Sequence, residues 1–232
     1  MTELIEKIKQ YVGYLPGEIA FPDVKNGTEF LKIQASMINL TDMTRAEQII
    51  NALQLDPTAN VRRMSKGMKQ KTALVAAFMH QPEIIILDEP TTGLDPLMRE
   101  EFIKIIKEEK AKGTTIIMSN HMFDELEETC DRIAFIKDGH LIDICDMNEL
   151  RHLPYRDYEV HFRNPRDYVG FNVSDLDIIE TNDKEHSLTV RLTPENASKF
   201  ISLISNCELI SFNEKRHTLE EYFMNNVVGG EK

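Results

Sequence analysis

Three side chains fall where strand tips would carry them, and their types suit phosphate chemistry. In Glu83-Ile84-Ile85-Ile86-Leu87-Asp88-Glu89-Pro90 an apolar run ends in two adjacent carboxylates. Such a run reads as a parallel strand buried on both faces, whose carboxyl end is where ligands collect. Asp88 is placed to hold Mg²⁺ there, and Glu89 to polarise an attacking water. His121 follows the next apolar strand, in Met118-Ser119-Asn120-His121. It therefore emerges beside Glu89, where an imidazole can contact a transferring phosphoryl group.

Two glycine-bearing segments add to these. Met64-Ser65-Lys66-Gly67-Met68-Lys69-Gln70 opens a helix with a hydroxyl, a glycine amide and free N–H groups, which together favour an anion. In Thr91-Thr92-Gly93-Leu94-Asp95-Pro96, Gly93 permits a tight turn and Asp95 is placed to cap the helix that Pro96 begins. No Gly-x-x-x-x-Gly-Lys-Ser/Thr loop occurs anywhere in the 232 residues, so the usual phosphate cradle is missing from this sequence.

The elements that must position these groups follow from local patterns. Residues 11–15 form a strand closed by Pro16-Gly17. Asn26 caps a helix through Met37, Thr44 with Glu47 makes a capping box for a second, and Ser65 caps a third to about Met79. Alternation follows, with strands at 84–88, 114–118 and 132–136 and helices at 96–111 and 121–130. That order indicates an α/β fold with a parallel sheet. Asp138-Gly139 turns the chain into a hairpin.

Near residue 150 the pattern changes to a small α+β unit. Its strands are expected near 156–162, 176–180, 187–192 and 207–213, and its helices near 195–205 and 218–226. The expected domains are therefore 1–150 and 151–232, with a frayed end at Gly229-Gly230-Glu231-Lys232.

Composition excludes several classes. A net charge of −12 argues against a general nucleic-acid binder, which needs a basic footprint; the basic run from Arg62 to Lys71 is a local exception. Cys130, Cys145 and Cys207 show no CxxC spacing and read as reduced thiols of a cytosolic protein. No apolar run approaches the roughly 20 residues of a membrane helix.

In order and spacing, these segments resemble the ATP-binding cassette (ABC) ATPases, the motor subunits of ABC transporters. Met64-Ser65-Lys66-Gly67-Met68 resembles their Leu-Ser-Gly-Gly-Gln signature, with Lys66 in place of Gly and Met68 in place of Gln. Ile84 to Glu89 resembles the Walker B strand with its catalytic glutamate, Gly93-Leu94-Asp95 the D-loop, and His121 the H-switch. At the Q-loop, Gly17 stands at the usual Gln position with Glu18 beside it. The wording of Tyr14 to Glu18 and of Ser65 to Gln70 is most similar to drug and bacteriocin-immunity exporters of low-GC Gram-positive bacteria.

The resemblance implies a P-loop NTPase-like core shortened at its N-terminus, without Walker A and the strands around it, followed by a small C-terminal accessory domain. It implies ATP and Mg²⁺ as ligands, with Glu89 and His121 catalytic and Asp88 on the metal. Ser65, Lys66, Gly67, Met68, Asp95, Gly17 and Glu18 would face nucleotide. It also implies a second ATPase subunit, a separate transmembrane permease, a place on the inner face of the plasma membrane through that permease, and transport in the export direction. Without its own cradle the chain is expected to be weakly active by itself. The alternative is a non-catalytic, signature-donating or regulatory partner in a heteromeric complex.

Overall fold

The computed structural model describes residue 8, residues 10–172 and residues 175–224. The chain divides into two compact units, Met1–Thr129 and Cys130–Lys232.

In the first unit, strands β1 (Val12–Leu15), β2 (Ile84–Asp88) and β3 (Thr115–Ser119) form a parallel sheet in that order. Helices α1 (Gly27–Met37), α2 (Thr44–Ala52) and α3 (Lys66–Phe78) lie between β1 and β2 in sequence, α4 (Pro96–Ala111) between β2 and β3, and α5 (Phe123–Thr129) after β3. The register sets Leu15 opposite Leu87 and Asp88 opposite Ser119, which brings Gly17, Asp88 and His121 out at one edge.

Helices cover one face of this sheet. Leu15, Ile85 and Leu87 are essentially fully buried against Leu74, Val75, Phe78, Phe102 and Ile106. The other face is different: Ile84 and Ile86 are each 38% exposed, and Tyr14 and Ile117 are each 60% exposed. The expected burial of β2 on both faces is thus corrected. The strand alternates, because no described element of this unit packs on its second side.

Two local expectations change as well. Thr44 is the first residue of α2 and caps nothing; the Asp42 carboxylate accepts from the Thr44 N–H at 2.9 Å instead. His121 precedes α5 and lies outside it, because the Asn120 side chain accepts from the Met122 N–H at 3.0 Å and the helix begins only at Phe123.

The second unit opens with β4 (Arg132–Lys137) and β5 (His140–Asp146). β4 does not join the parallel sheet, as its place in the alternation suggested; it pairs antiparallel with β5 across Asp138 and Gly139, both at positive φ. After α6 (Met147–Arg151) come β6 (Arg156–Phe162), α7 (Pro165–Asn172), β7 (Asp177–Asn182), β8 (Ser187–Leu192), α8 (Ala197–Ile204) and β9 (Leu209–Lys215). Their sheet order, β7-β8-β6-β9 and antiparallel throughout, is the split βαβ arrangement of ferredoxin-like units.

Helix α7 was absent from the sequence reading. Its Asn164-Pro165 start looks like a turn, yet Asn164 caps it through the Arg166 N–H and Tyr168 and Phe171 bury three residues apart. Terminal α9 (Leu219–Phe223) is capped by Thr218 as expected. The frayed end expected at 229–232 lies outside the described residues.

The unit boundary falls at 129/130, earlier than the expected 150. The reason lies in α9: Tyr222 donates to Asp143 at 2.7 Å, and Tyr222 and Phe223 pack on Phe135. These contacts tie the β4–β5 hairpin to the C-terminal helix.

Candidate nucleotide site

Strand pairing assembles the carboxylates. The Ser119 hydroxyl donates to Asp88 Oδ1 at 2.5 Å and accepts from the Glu89 N–H at 3.1 Å. One β3 side chain therefore fixes both the Asp88 carboxylate and the start of the Glu89 turn. Glu89 itself sits at φ 48°, a left-handed conformation uncommon for a residue with a β-carbon.

From that backbone the Glu89 carboxylate reaches sideways. Its Oε2 lies 2.8 Å from His121 Nδ1 and 3.4 Å from the Thr92 hydroxyl. His121 is 73% exposed and Glu89 37%, so the pair faces solvent where a substrate can enter. Sequence reasoning placed these two residues at one edge; the structure puts them in contact.

Gly17 closes the other side of Asp88. A β-carbon on Gly17 would come within 2.7 Å of Asp88 Oδ2, so the missing side chain keeps that oxygen uncovered. Glu18 is exposed beside it. With Oδ1 held by Ser119 and Oδ2 unobstructed, Asp88 fits Mg²⁺, which commonly takes one or two carboxylates and completes its shell with water and substrate phosphates. Among the described residues no group of three or more His, Cys, Asp or Glu could hold a metal by itself.

The glycine-bearing segments form a second cluster. Ser65 caps α3, accepting from the Met68 N–H at 3.2 Å, and its hydroxyl proton is left to donate elsewhere. Gly67 lies against the D-loop-like turn so closely that a β-carbon would meet the Gly93 carbonyl at 2.5 Å. Ser65, Lys66 and Gly93 are exposed, whereas Met68 is half-buried and packs on the core. Asp95 caps α4 through the Met98 N–H at 3.0 Å.

Three residues at the site went unnoticed in the sequence. Ser119 is one; its signal was its register opposite Asp88. Gln70, 2% exposed, donates from Nε2 to the carbonyls of Glu89 (3.2 Å) and Pro90 (2.9 Å), strapping α3 to the Glu89 turn. Glu125, 5% exposed, is the third, and its only signal was an acid on the apolar stripe of α5 with Leu126 and Thr129.

Known proteins are similar to this chain. Residues 2–121 match the family described as "AAA domain, putative AbiEii toxin, Type IV TA system". An uncharacterized ABC transporter ATP-binding protein of Nostoc sp. is 31% identical over 95% of this chain and 67% of its own length. The bacitracin transport ATP-binding protein of Enterococcus faecalis is 34% identical over 72% of this chain and 55% of its own. A solved ATP-binding subunit of an ABC transporter superposes with a TM-score of 0.58 at 27% identity, covering 65% of each chain. The chain spans between about half and two thirds of the length of the curated relatives it matches. With Asp88, Glu89 and His121 gathered at the tips of a parallel sheet and Ser65 at the head of α3, the chain belongs to the ATP-binding proteins of ABC transporters.

Proposed function

We propose that this chain supplies the hydrolytic edge of an ABC ATPase that powers transport through a separate permease, in the export direction. The observation that carries the proposal is the 2.8 Å contact between Glu89 and His121, one residue from Asp88. Glu89 takes up proton density from the attacking water, and His121 holds the carboxylate in place while presenting its other ring edge to the γ-phosphoryl oxygens. Asp88 would hold Mg²⁺, which when bound would neutralise charge on the nucleotide phosphates.

The phosphates also need a nest of amides and a lysine. These 232 residues contain no Gly-x-x-x-x-Gly-Lys, so that grip comes from groups outside them. The helix start, with Ser65 and Lys66 exposed and Gly67 half-buried, is available to a nucleotide held by a second ATPase subunit. A groove of about 400 Å³ lined by Phe21, Asp23, Val24, Val61, Arg62 and Lys69, with Arg62 paired to Asp23 at 3.3 Å, offers apolar and charged contacts to a permease segment. No described helix is long and apolar enough to cross a membrane, so on this reading the membrane link passes through the permease and leaves the chain on its cytoplasmic side.

The test is ATP turnover by the chain combined with a polypeptide that carries the missing loop. Glu89→Gln is expected to lower turnover by roughly 10²- to 10⁴-fold, the worth of a general base. Unchanged turnover would remove Glu89 from that role. The exposed Ser65 hydroxyl at the head of α3 supports one second reading, a non-catalytic donor of Ser65 and Gly67 to a partner's nucleotide. In that case Ser65→Ala lowers the partner's turnover while Glu89→Gln leaves it unchanged.

A further inference from the structure

Glu125 stands outside the catalytic contacts, yet it touches both segments that carry them. Its Oε2 accepts from the Thr91 hydroxyl at 2.8 Å and from the Asn120 side-chain amide at 2.6 Å. Thr91 lies two residues after Glu89, and Asn120 immediately precedes His121. One carboxylate oxygen thus joins the turn bearing Glu89 to the turn bearing His121. Its other oxygen makes no hydrogen bond and lies 3.9 Å from Arg99 Nε. Arg99 is committed elsewhere, donating to the Leu94 carbonyl and contacting Met122 sulfur.

Burying an acid at 5% exposure is unfavourable unless strong hydrogen bonds offset its lost hydration. A merely space-filling position on α5 would suit Leu or Met better. What the carboxylate supplies is convergence: two donors from two loops on one acceptor. The Asn120 side chain also accepts from the Met122 N–H, closing a turn around His121 ahead of α5. Ser119 on the Glu89 N–H and Glu125 on Thr91 and Asn120 thus bond the two loops at separate points.

We infer that Glu125 is a positioning residue for the reaction, clamping the Glu89 and His121 loops together so that their side chains meet before nucleotide arrives. The inference rests on the proposed hydrolytic reading, but its geometric half can be measured without turnover. Preorganisation of this kind is costly to lose, since small misplacements at a reacting centre cost up to about 10²-fold in rate.

The experiment has two arms. In the first, imidazole NMR signals of His121, assigned through His121→Ala, are recorded in the parent chain, Glu89→Gln, Glu125→Ala and Glu125→Gln. Glu125→Ala is expected to move the signals toward those of Glu89→Gln. Glu125→Gln keeps an acceptor oxygen for Thr91 and Asn120 and should hold them at the parent positions. Signals unmoved in Glu125→Ala, or moved equally by Gln and Ala, overturn the inference. Should Glu125→Ala fail to fold, Thr91→Val deletes one donor and is read the same way, and no movement there overturns it too. In the second arm, the complemented chain hydrolyses ATP. Glu125→Ala is expected to lower kcat roughly 10- to 100-fold with KM nearly unchanged, and Glu125→Gln to restore it. A parent complex without turnover defeats the hydrolytic reading alone, because the first arm still decides the clamp.

Discussion

The chemistry of this site is carried by side chains whose reach is set by their neighbours' size. Gly17 shows it most directly, because a single methyl there would press on the Asp88 oxygen that Ser119 does not hold, the one proposed to face Mg²⁺. Gly17→Ala is therefore expected to raise the Mg²⁺ concentration that half-saturates turnover by about tenfold, equivalent to roughly 1.4 kcal/mol. An unchanged Mg²⁺ dependence would show that Oδ2 does not face the ion. Asp88, Glu89 and His121 were legible in the sequence because the first two end one apolar run and His121 lies just past the next, and polar residues at the end of an apolar run mark a strand tip. Ser119 and Glu125 were not legible. A serine or a helical glutamate carries no meaning until strand register and loop packing set it against another chain segment.

At the scale of elements, α3 matters because it links two parts of the site. Ser65 and Gly67 stand at its start, and one turn later Gln70 grips the carbonyls of Glu89 and Pro90. Two hydrogen bonds thus join the first turns of this helix to the turn that carries Glu89. Gln70→Ala leaves the buried Pro90 carbonyl without its side-chain donor, while the Glu89 carbonyl still accepts from the Thr92 N–H at 3.2 Å, and is expected to destabilise the first unit by about 1–3 kcal/mol. Urea unfolding followed by far-UV circular dichroism checks this, and a loss under 0.5 kcal/mol would show the strap to be idle. Most elements were readable from caps and periodicity. The exceptions have physical causes: Asp42 out-competed Thr44 for the α2 terminus, and α7 hid behind an Asn-Pro pair. The bare face of β2 could not be read either, since Ile84 and Ile86 are as apolar as the buried Ile85 beside them.

At the scale of the whole molecule, stability and chemistry lie in different places. In the second unit the Tyr222 hydroxyl donates to Asp143, and that bond, with partial burial and the nearby negative charge, pushes the phenol up to about 12 from its ordinary 10. A raised folded value means that the contribution is complete below pH 10 and is lost as pH rises through about 12. The parent chain should therefore lose more stability than Tyr222→Phe between pH 10 and 12, measured as the difference in denaturant midpoints; parallel curves would rule the bond out. The first unit holds the opposite case. Glu89 is kept at φ 48°, where a residue with a β-carbon gives up roughly 1–2 kcal/mol that glycine would not. Laboratory evolution screened on heat resistance alone would drift toward glycine or asparagine at this position, and its most durable descendants would be those that had given up the carboxylate facing His121.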